Sequence, residues 1–452
     1  MSPKLTLRIL FLSLFVTPAV LFPVPGATAP AQGQTRELNA NDVVVAYRYL
    51  LGRWLVLRQE TRDFKQGFNW NELIHREPGG VERANPDLGF AYSEAWIAVD
   101  ESSCTLVELP PIKDRYYTLE VLNGWGEVTA NINDRTYPKH PSGTFGLCLK
   151  GAKVALPPGT ERVDLPSHKA RVVIRIELGS KPEEAAALQK QITMKATGAP
   201  KIAEPVGQFD FADSRLPSIN VFDSTEEVLA SESDINKGMT EPQKTARAIA
   251  QASLDPDKWK NYDAAIDAKA IPSLYADMKQ PGPAKNGWSR PRAVGNYGDD
   301  YRARSLVNFT DIWANNSKES ISFGNLDLDG DRVYTQTFPK GALPGQKARY
   351  FWSVTAVDDK QSRVVPNPLD RYMLDEQSPL ELNPDGSLTL VYGPSQPAGS
   401  PAANWLPTPA GKKYKLTFRF YGPSADVVSG AYFPPPLVLQ PRARDAGAQQ
   451  PK

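Results

Sequence analysis

Residues 327–374 read DLDGDRVYTQTFPKGALPGQKARYFWSVTAVDDKQSRVVPNPLDRYML. Residues 381–393, 403–423 and 431–436 continue the pattern as ELNPDGSLTLVYG, ANWLPTPAGKKYKLTFRFYGP and AYFPPP. Short apolar runs alternate with polar residues, which places every second side chain on one face of an extended chain. Asp-Gly, Pro-Gly and Asn-Pro pairs separate the runs, because these residues favour turns and interrupt a strand ladder. Antiparallel strands in a sandwich or jelly roll follow from this pattern.

Working towards the N-terminus, the block at 84–180 reads the same way. SEAWIAV, CTLVELP, RYYTLEVLNGW, TFGLCLKG, VALPPGTERVDLP and KARVVIRIEL are short and bounded by Gly, Pro, Asn or Asp. Regular strands over about 100 residues predict an immunoglobulin-like sandwich. Helical spacing governs the rest. Val43, Val44, Tyr47, Leu50 and Leu51 recur on one helical face behind a cap at Asn39 or Asn41. A helix is expected over 182–196, led by Pro182 with Glu183 and Glu184 at its positive end. Residues 223–280 are mostly helical, with capping-box spacing at Thr240 and Gln243 and a start at Asp255-Pro256. The expected layout is therefore mainly β with a helical middle. It comprises 1–31 as a signal peptide, 32–83 as a helix and irregular lead-in, 84–180 as the first β domain, 181–300 as a helical connector, 301–437 as the second β domain, and 438–452 as a disordered tail.

The signal peptide is read from Lys4 and Arg8, an apolar run at 9–22, and small residues before a cut after Ala31. The run falls short of the ~20 residues that span a bilayer. The expected location is periplasmic or secreted, with no integral membrane segment after cleavage. Export makes the two cysteines, Cys104 and Cys148, a disulfide candidate, with two buried free thiols as the alternative. A net charge of +1 and the lack of a basic block argue against nucleic acid. With 41 Pro and 32 Gly among 452 residues, short strands and loops are favoured over long helices.

Catalytic and metal patterns are weak. His75, His140 and His168 lie in separate segments without metal-ligand spacing. Asn325, Asp327, Asp329, Gly330 and Gln336 match positions of a calcium loop. Position twelve, however, is Gln, the flanks are strand-like, and a hairpin turn on Asp329-Gly330 is the simpler reading. No G-x-S-x-G elbow, dinucleotide fingerprint or P-loop occurs, and Gly124-Trp125-Gly126 reads as a turn. Ser353 sits in an apolar strand as a core-facing or sheet hydroxyl. No cofactor is expected.

ANPDLGFAYSEAWIAV, KDRYYTLEVLNGWGEVTANINDRT and TFGLCLKG resemble the N-terminal half of an exported family, domain of unknown function 1254. FWS, NP..RY, NPDGSLT and NWLP occur together in the order of its partner, domain of unknown function 1214. The resemblance implies an immunoglobulin-like domain, a helical middle and a C-terminal jelly roll. One departure stands out: Leu88-Gly89-Phe90 replaces a more polar segment before the Ser93-Glu94-Ala95-Trp96 strand. Within the shared motifs, Arg115, Tyr116, Asn123, Trp125 and Arg135 form one aromatic and polar set. Trp352, Asn367, Arg371, Tyr372, Asn404 and Trp405 form another. Arg and Asn orient carboxylates or hydroxyls, and Trp and Tyr offer flat contact area. The alternative is that the same residues fill sandwich cores and make turns. The functional expectation is an exported protein that binds a small molecule, glycan or protein between its β domains. A hydrolase with catalytic groups from distant segments and a structural or assembly role, including self-association, remain open.

Overall fold

In the strand Lys169–Glu177, Ala170, Val172, Ile174 and Ile176 alternate with Arg171, Val173, Arg175 and Glu177. The first set faces a core completed by a second sheet. In the computed structural model, which describes residues 37–81, 86–203, 206–207 and 209–441, this strand is the middle of a five-stranded antiparallel sheet. The spatial order is Ile74–His75, Phe90–Ala98, Lys169–Glu177, Tyr117–Leu122 and Val128–Ile132. Its partner sheet runs Glu161–Leu165, Gly143–Leu149, Thr105–Leu109 and Thr193–Ala196, with the first pair parallel. Ile97, Leu119, Val121, Val172 and Ile174 meet Val107, Phe145, Leu147 and Leu165 between the two sheets. Cys104 and Cys148 are disulfide-bonded, with Cα atoms 4.5 Å apart, and the bridge ties neighbouring strands of the smaller sheet.

The C-terminal segment forms another pair of sheets. The larger is ordered Ala284–Lys285, Trp288–Ser289, Ser320–Asp329, Lys413–Pro423, Ala348–Asp358 and Met373–Asp375. The smaller is ordered Trp405–Pro407, Leu388–Gly393, Tyr334–Phe338 and Val438–Leu439. Phe323, Val354, Leu416, Phe418 and Phe420 fill the space with Phe338, Leu390, Tyr392 and Leu406. The chain is thus mainly β with helices in the middle, and the described residues from Leu38 onward form one compact unit.

The N-terminal helix spans Ala40–Lys65, well beyond the expected apolar stretch, and starts with a capping box between Asn39 and Asp42. It is buried on nearly every side, so it carries no single apolar stripe. Three of its arginines are buried: Arg48 pairs with Asp277 at 2.9 Å and Arg58 with Asp213 at 2.6 Å, while Arg53 donates to the Gly124 carbonyl at 2.8 Å and the Ser231 hydroxyl at 3.0 Å. Tyr47, Leu50, Leu51 and Trp54 pack against the middle helices through Phe222, Val228, Ile249 and Ile266.

Several local expectations change. The helix Pro182–Gln191 stops before 196, because Thr193–Ala196 hydrogen-bonds as an edge strand to Thr105–Leu109. Thr240 makes no capping box; its hydroxyl donates to the Lys237 carbonyl. Tyr301–Thr310 is a helix although it falls in the stretch read as β. Asp300 caps it through the Ala303 N–H, and Leu306 and Val307 join the helical core. No hairpin forms at Asp329-Gly330, since the strand before it pairs with Lys413–Pro423 and the strand after it with Leu388–Gly393. The turn instead crosses between sheets, and the Gly330 N–H donates to the Lys412 carbonyl at 2.9 Å. A Cβ on Gly330 would lie 1.9 Å from the Pro409 oxygen, so glycine is required there for close approach. Residues 438–440 are not part of a tail: Val438 and Leu439 pair with Thr335 and Tyr334. The signal-peptide segment and the tail from 442 lie outside the described residues.

Candidate functional site

The unusual surface is the second face of the five-stranded sheet. Period-two alternation sends Glu94, Trp96, Thr118, Glu120, Arg171, Arg175 and Glu177 to the side away from the sandwich core. Such a charged row would normally meet water. Here Glu94, Glu120 and Arg171 are at most 1% exposed. Register explains the pairing. Val173 lies between Glu94 and Glu120, so each carboxylate sits diagonal to an arginine. Arg171 pairs with Glu94, and Arg175 pairs with Glu120.

Around Arg171, the rings of Phe68, Trp96 and Trp313 lie 4.8, 5.2 and 5.6 Å from the guanidinium carbon. Asp63, from the N-terminal helix, approaches Arg171 to 3.5 Å and accepts the Trp96 indole N–H at 2.9 Å. Burial pulls the Arg171 pKa down to about 10, with Asp63 opposing, so the side chain stays protonated at neutral pH. Burial pushes the Glu120 carboxyl up to about 7, against the pull of Arg175. Arg175 itself is held above its ordinary value: burial opposes this, but Glu120 and Tyr92 outweigh it. One Glu120 oxygen, Oε1, is buried without a hydrogen-bond partner.

Residues 311–319 cover this face. Arg175 donates to the Trp313 carbonyl at 2.8 Å, and the Asn131 and Asn315 amides bond reciprocally at 2.9 and 2.8 Å. Glu319 accepts from the Tyr116 hydroxyl at 3.0 Å, from the Asn133 amide at 3.2 Å and from Arg135. Arg135 lies between the rings of Tyr116 and Tyr350, at 4.8 and 4.9 Å, and donates to the Tyr350 hydroxyl at 2.9 Å. Burial, reinforced by Glu319, raises the Tyr116 hydroxyl far above its usual range, so it remains a donor.

The C-terminal sheet closes the seam. Phe351 and Tyr421 stack at 4.4 Å against Phe90 and Tyr116. Gly89 allows this approach, since a Cβ there would meet the Phe351 ring at 3.1 Å. The Leu88-Gly89-Phe90 departure therefore sits at the joint. Beside it lies a cleft of about 120 Å³ lined by Leu88, Glu177, Leu178, Phe351, Met373 and Asp375, among others. Burial raises both the Glu177 and the Asp375 carboxyl pKa.

The candidate residues divide into three places. Tyr116 and Arg135 belong to the seam. Arg115 borders it, donating to the Glu177 and Leu178 carbonyls at 2.9 and 3.1 Å. Asn123 and Trp125 lie elsewhere: the Asn123 side chain accepts the Trp125 and Glu127 N–H groups in a tight turn. Trp125 is buried in the helical core beneath Arg304, 4.3 Å away, where Arg304 pairs with Glu127 and Asp234. The C-terminal set is not assembled with the N-terminal one. Trp352 stacks on Phe418 inside the sandwich at 5.3 Å. Arg371 donates to the Ala402 and Trp405 carbonyls, Asn404 bridges Glu381 and Thr389, and Trp405 donates to Gly393. Asn367 and Tyr372 make bonds local to the 367–372 turn. The calcium-loop set is dispersed too, because Gln336 is buried between the Pro435 carbonyl and the Tyr392 hydroxyl. Among the described residues no group of three or more His, Cys, Asp or Glu is arranged to hold a metal.

Residues 68–196 match the family model described as protein of unknown function (DUF1254), and residues 324–425 match protein of unknown function (DUF1214). The chain pairs the two domains of unknown function. Arg135 and the ionic strands fall in the DUF1254 match, Phe351 and Tyr421 fall in the DUF1214 match, and Glu319 lies between the two. The chain is similar in fold to the crystal structure of the VPA0106 protein from Vibrio parahaemolyticus, with a TM-score of 0.60 and 18% identity over 89% of this chain and 100% of that one. An uncharacterized protein from Burkholderia cenocepacia aligns with a TM-score of 0.46 and 11% identity, over 91% of each chain. No curated protein matches the chain.

Proposed function

We propose that this DUF1254–DUF1214 protein is exported and acts by binding, taking one group of a small molecule, glycan or protein into the cleft between its β parts. The supporting observation is the cleft's shared wall: Leu88, Glu177 and Leu178 come from one part, and Phe351, Met373 and Asp375 from the other. Its volume of about 120 Å³ is below the ~300 Å³ at which sites begin to enclose drug-sized ligands. It suits a side-chain-sized group on a larger ligand. Apolar walls with two carboxyls favour a group with an apolar stem and an amine, which would relieve the burial of the carboxylates. The β parts are read as an immunoglobulin-like sandwich and a jelly roll. Export would place Cys104 and Cys148 in an oxidising compartment, with the mature chain starting at Gln32.

Thermal-shift and chemical-shift titrations with short alkylamines and amine-bearing sugars would test this reading. Met373→Trp should fill the cleft and abolish a response that the unaltered protein shows. Equal responses from both proteins would move binding away from the cleft and sink the proposal.

A further inference from the structure

Away from the seam, the chain brings a serine and a lysine 53 residues apart into contact. The Ser362 hydroxyl oxygen lies 2.7 Å from the Lys415 amine. Ser362 occupies the turn that follows the strand Ala348–Asp358 and has φ of +58°, a left-handed conformation that costs a non-glycine residue energy. Asp358 fixes the turn: its carboxylate accepts the N–H groups of Lys360, Gln361 and Arg363, and its carbonyl accepts that of Ser362 at 3.0 Å. Ser362 is partly exposed at the end of the sheet, between the exposed residues Gln361 and Arg363.

Lys415 is anchored in a central strand, opposite Val357 on one side and beside the bulge between Asn325 and Leu328 on the other. Among the described residues its amine makes this one hydrogen bond and no ion pair. Burial, assisted by Arg419, lowers its pKa, while Asp359, Asp311 and Asp358 oppose. In the structure the amine donates to the hydroxyl oxygen at 2.7 Å; once it has lost its extra proton the same contact lets it accept the serine O–H, which places it as a base.

We propose that Ser362 and Lys415 form a nucleophile–base pair that accepts acyl groups from esters small or extended enough to reach the turn. The Lys415 amine takes the hydroxyl proton as the serine oxygen bonds to the carbonyl carbon. The ester C–O bond then breaks, and the proton on Lys415 passes to the departing alkoxide. Water, giving a proton to Lys415, attacks the acyl-serine, and the proton returns to the serine oxygen as the carboxylic acid leaves. This site is separate from the interdomain cleft, and neither reading depends on the other.

The experiment is labelling of the mature full-length chain with a fluorophosphonate, followed by intact mass and peptide mapping. One adduct is expected, on Ser362. Ser362→Gly, which keeps the turn because glycine accepts φ of +58°, should abolish it. Lys415→Met should slow labelling by about 100-fold, the low end of general-base contributions. The wild-type rate should rise with pH through an inflection below the ordinary lysine range. Absence of an adduct on Ser362 would overturn the proposal, as would wild-type labelling in a folded Lys415→Met variant. Should that variant fail to fold, the pH profile decides, and a rate without the low inflection rejects the pair.

Discussion

Arg135 and Arg371 look alike in the sequence, each beside a tyrosine or a turn and each within a shared motif. Their surroundings differ in one respect that matters. Arg135 meets a carboxylate, Glu319, between two rings inside a covered seam. Arg371 meets backbone carbonyls at 402 and 405 near the surface. Arg135 keeps only 14% of its side chain exposed, and a guanidinium so far removed from water gains from a facing carboxylate, because desolvating one unpaired ion costs several kcal/mol. A surface guanidinium on carbonyls makes ordinary hydrogen bonds and fixes a loop. The comparison separates a seam whose residues depend on one another from a loop cluster whose residues act singly.

The sharpest way to break that comparison is Arg175→Met. It leaves Glu120 without its partner on the buried face, and a loss of about 3–5 kcal/mol is expected. Urea denaturation would measure it. Arg175→Met combined with Glu120→Leu should recover most of the loss, since no orphaned charge remains. If the single variant cost under about 1 kcal/mol, the seam would behave as a solvated surface.

A smaller effect concerns pH. A carboxyl raised by burial favours the neutral form in the folded state. Its contribution is fully present below the ordinary glutamate pKa, and it is lost as pH rises through about 7. Glu120→Gln should therefore flatten the fall in stability between pH 5 and pH 8, by on the order of 1–3 kcal/mol. Melting temperatures of both proteins across that range would show it. Parallel profiles would mean that Arg175 keeps Glu120 ionised throughout.

The sheets are readable in the sequence because alternation is local. Val172, Ile174 and Ile176 announce a buried face whatever covers it. The same alternation displays Arg171, Arg175 and Glu120, yet it hides their role. Charges at period two ordinarily mean a face in water. What buries this one is the N-terminal helix and Phe68 at the Arg171 end and the 311–319 segment, more than 130 residues further on, at the Arg175 end, and no local pattern reports such a cover. The family motifs mislead for a related reason. Trp352, Asn404 and Arg371 each help to build the C-terminal sheets, which says nothing about convergence on a site. The helix at Tyr301–Thr310 is masked by its β neighbours, although Ala303, Leu306 and Val307 carry helical spacing.

The smallest test lies in the loop cluster. Arg371→Ala removes two hydrogen bonds to carbonyls that stay within reach of water. A loss of about 1 kcal/mol is expected in urea denaturation. Because no carboxylate is left behind, the loss should not depend on a second substitution nearby, in contrast to Arg175→Met. A cost equal to that of Arg175→Met would erase the distinction. It would mean that the 367–372 turn holds the C-terminal sheets together as firmly as the ion pairs hold the seam, and that Arg371 depends on its neighbours as closely as Arg135 depends on Glu319.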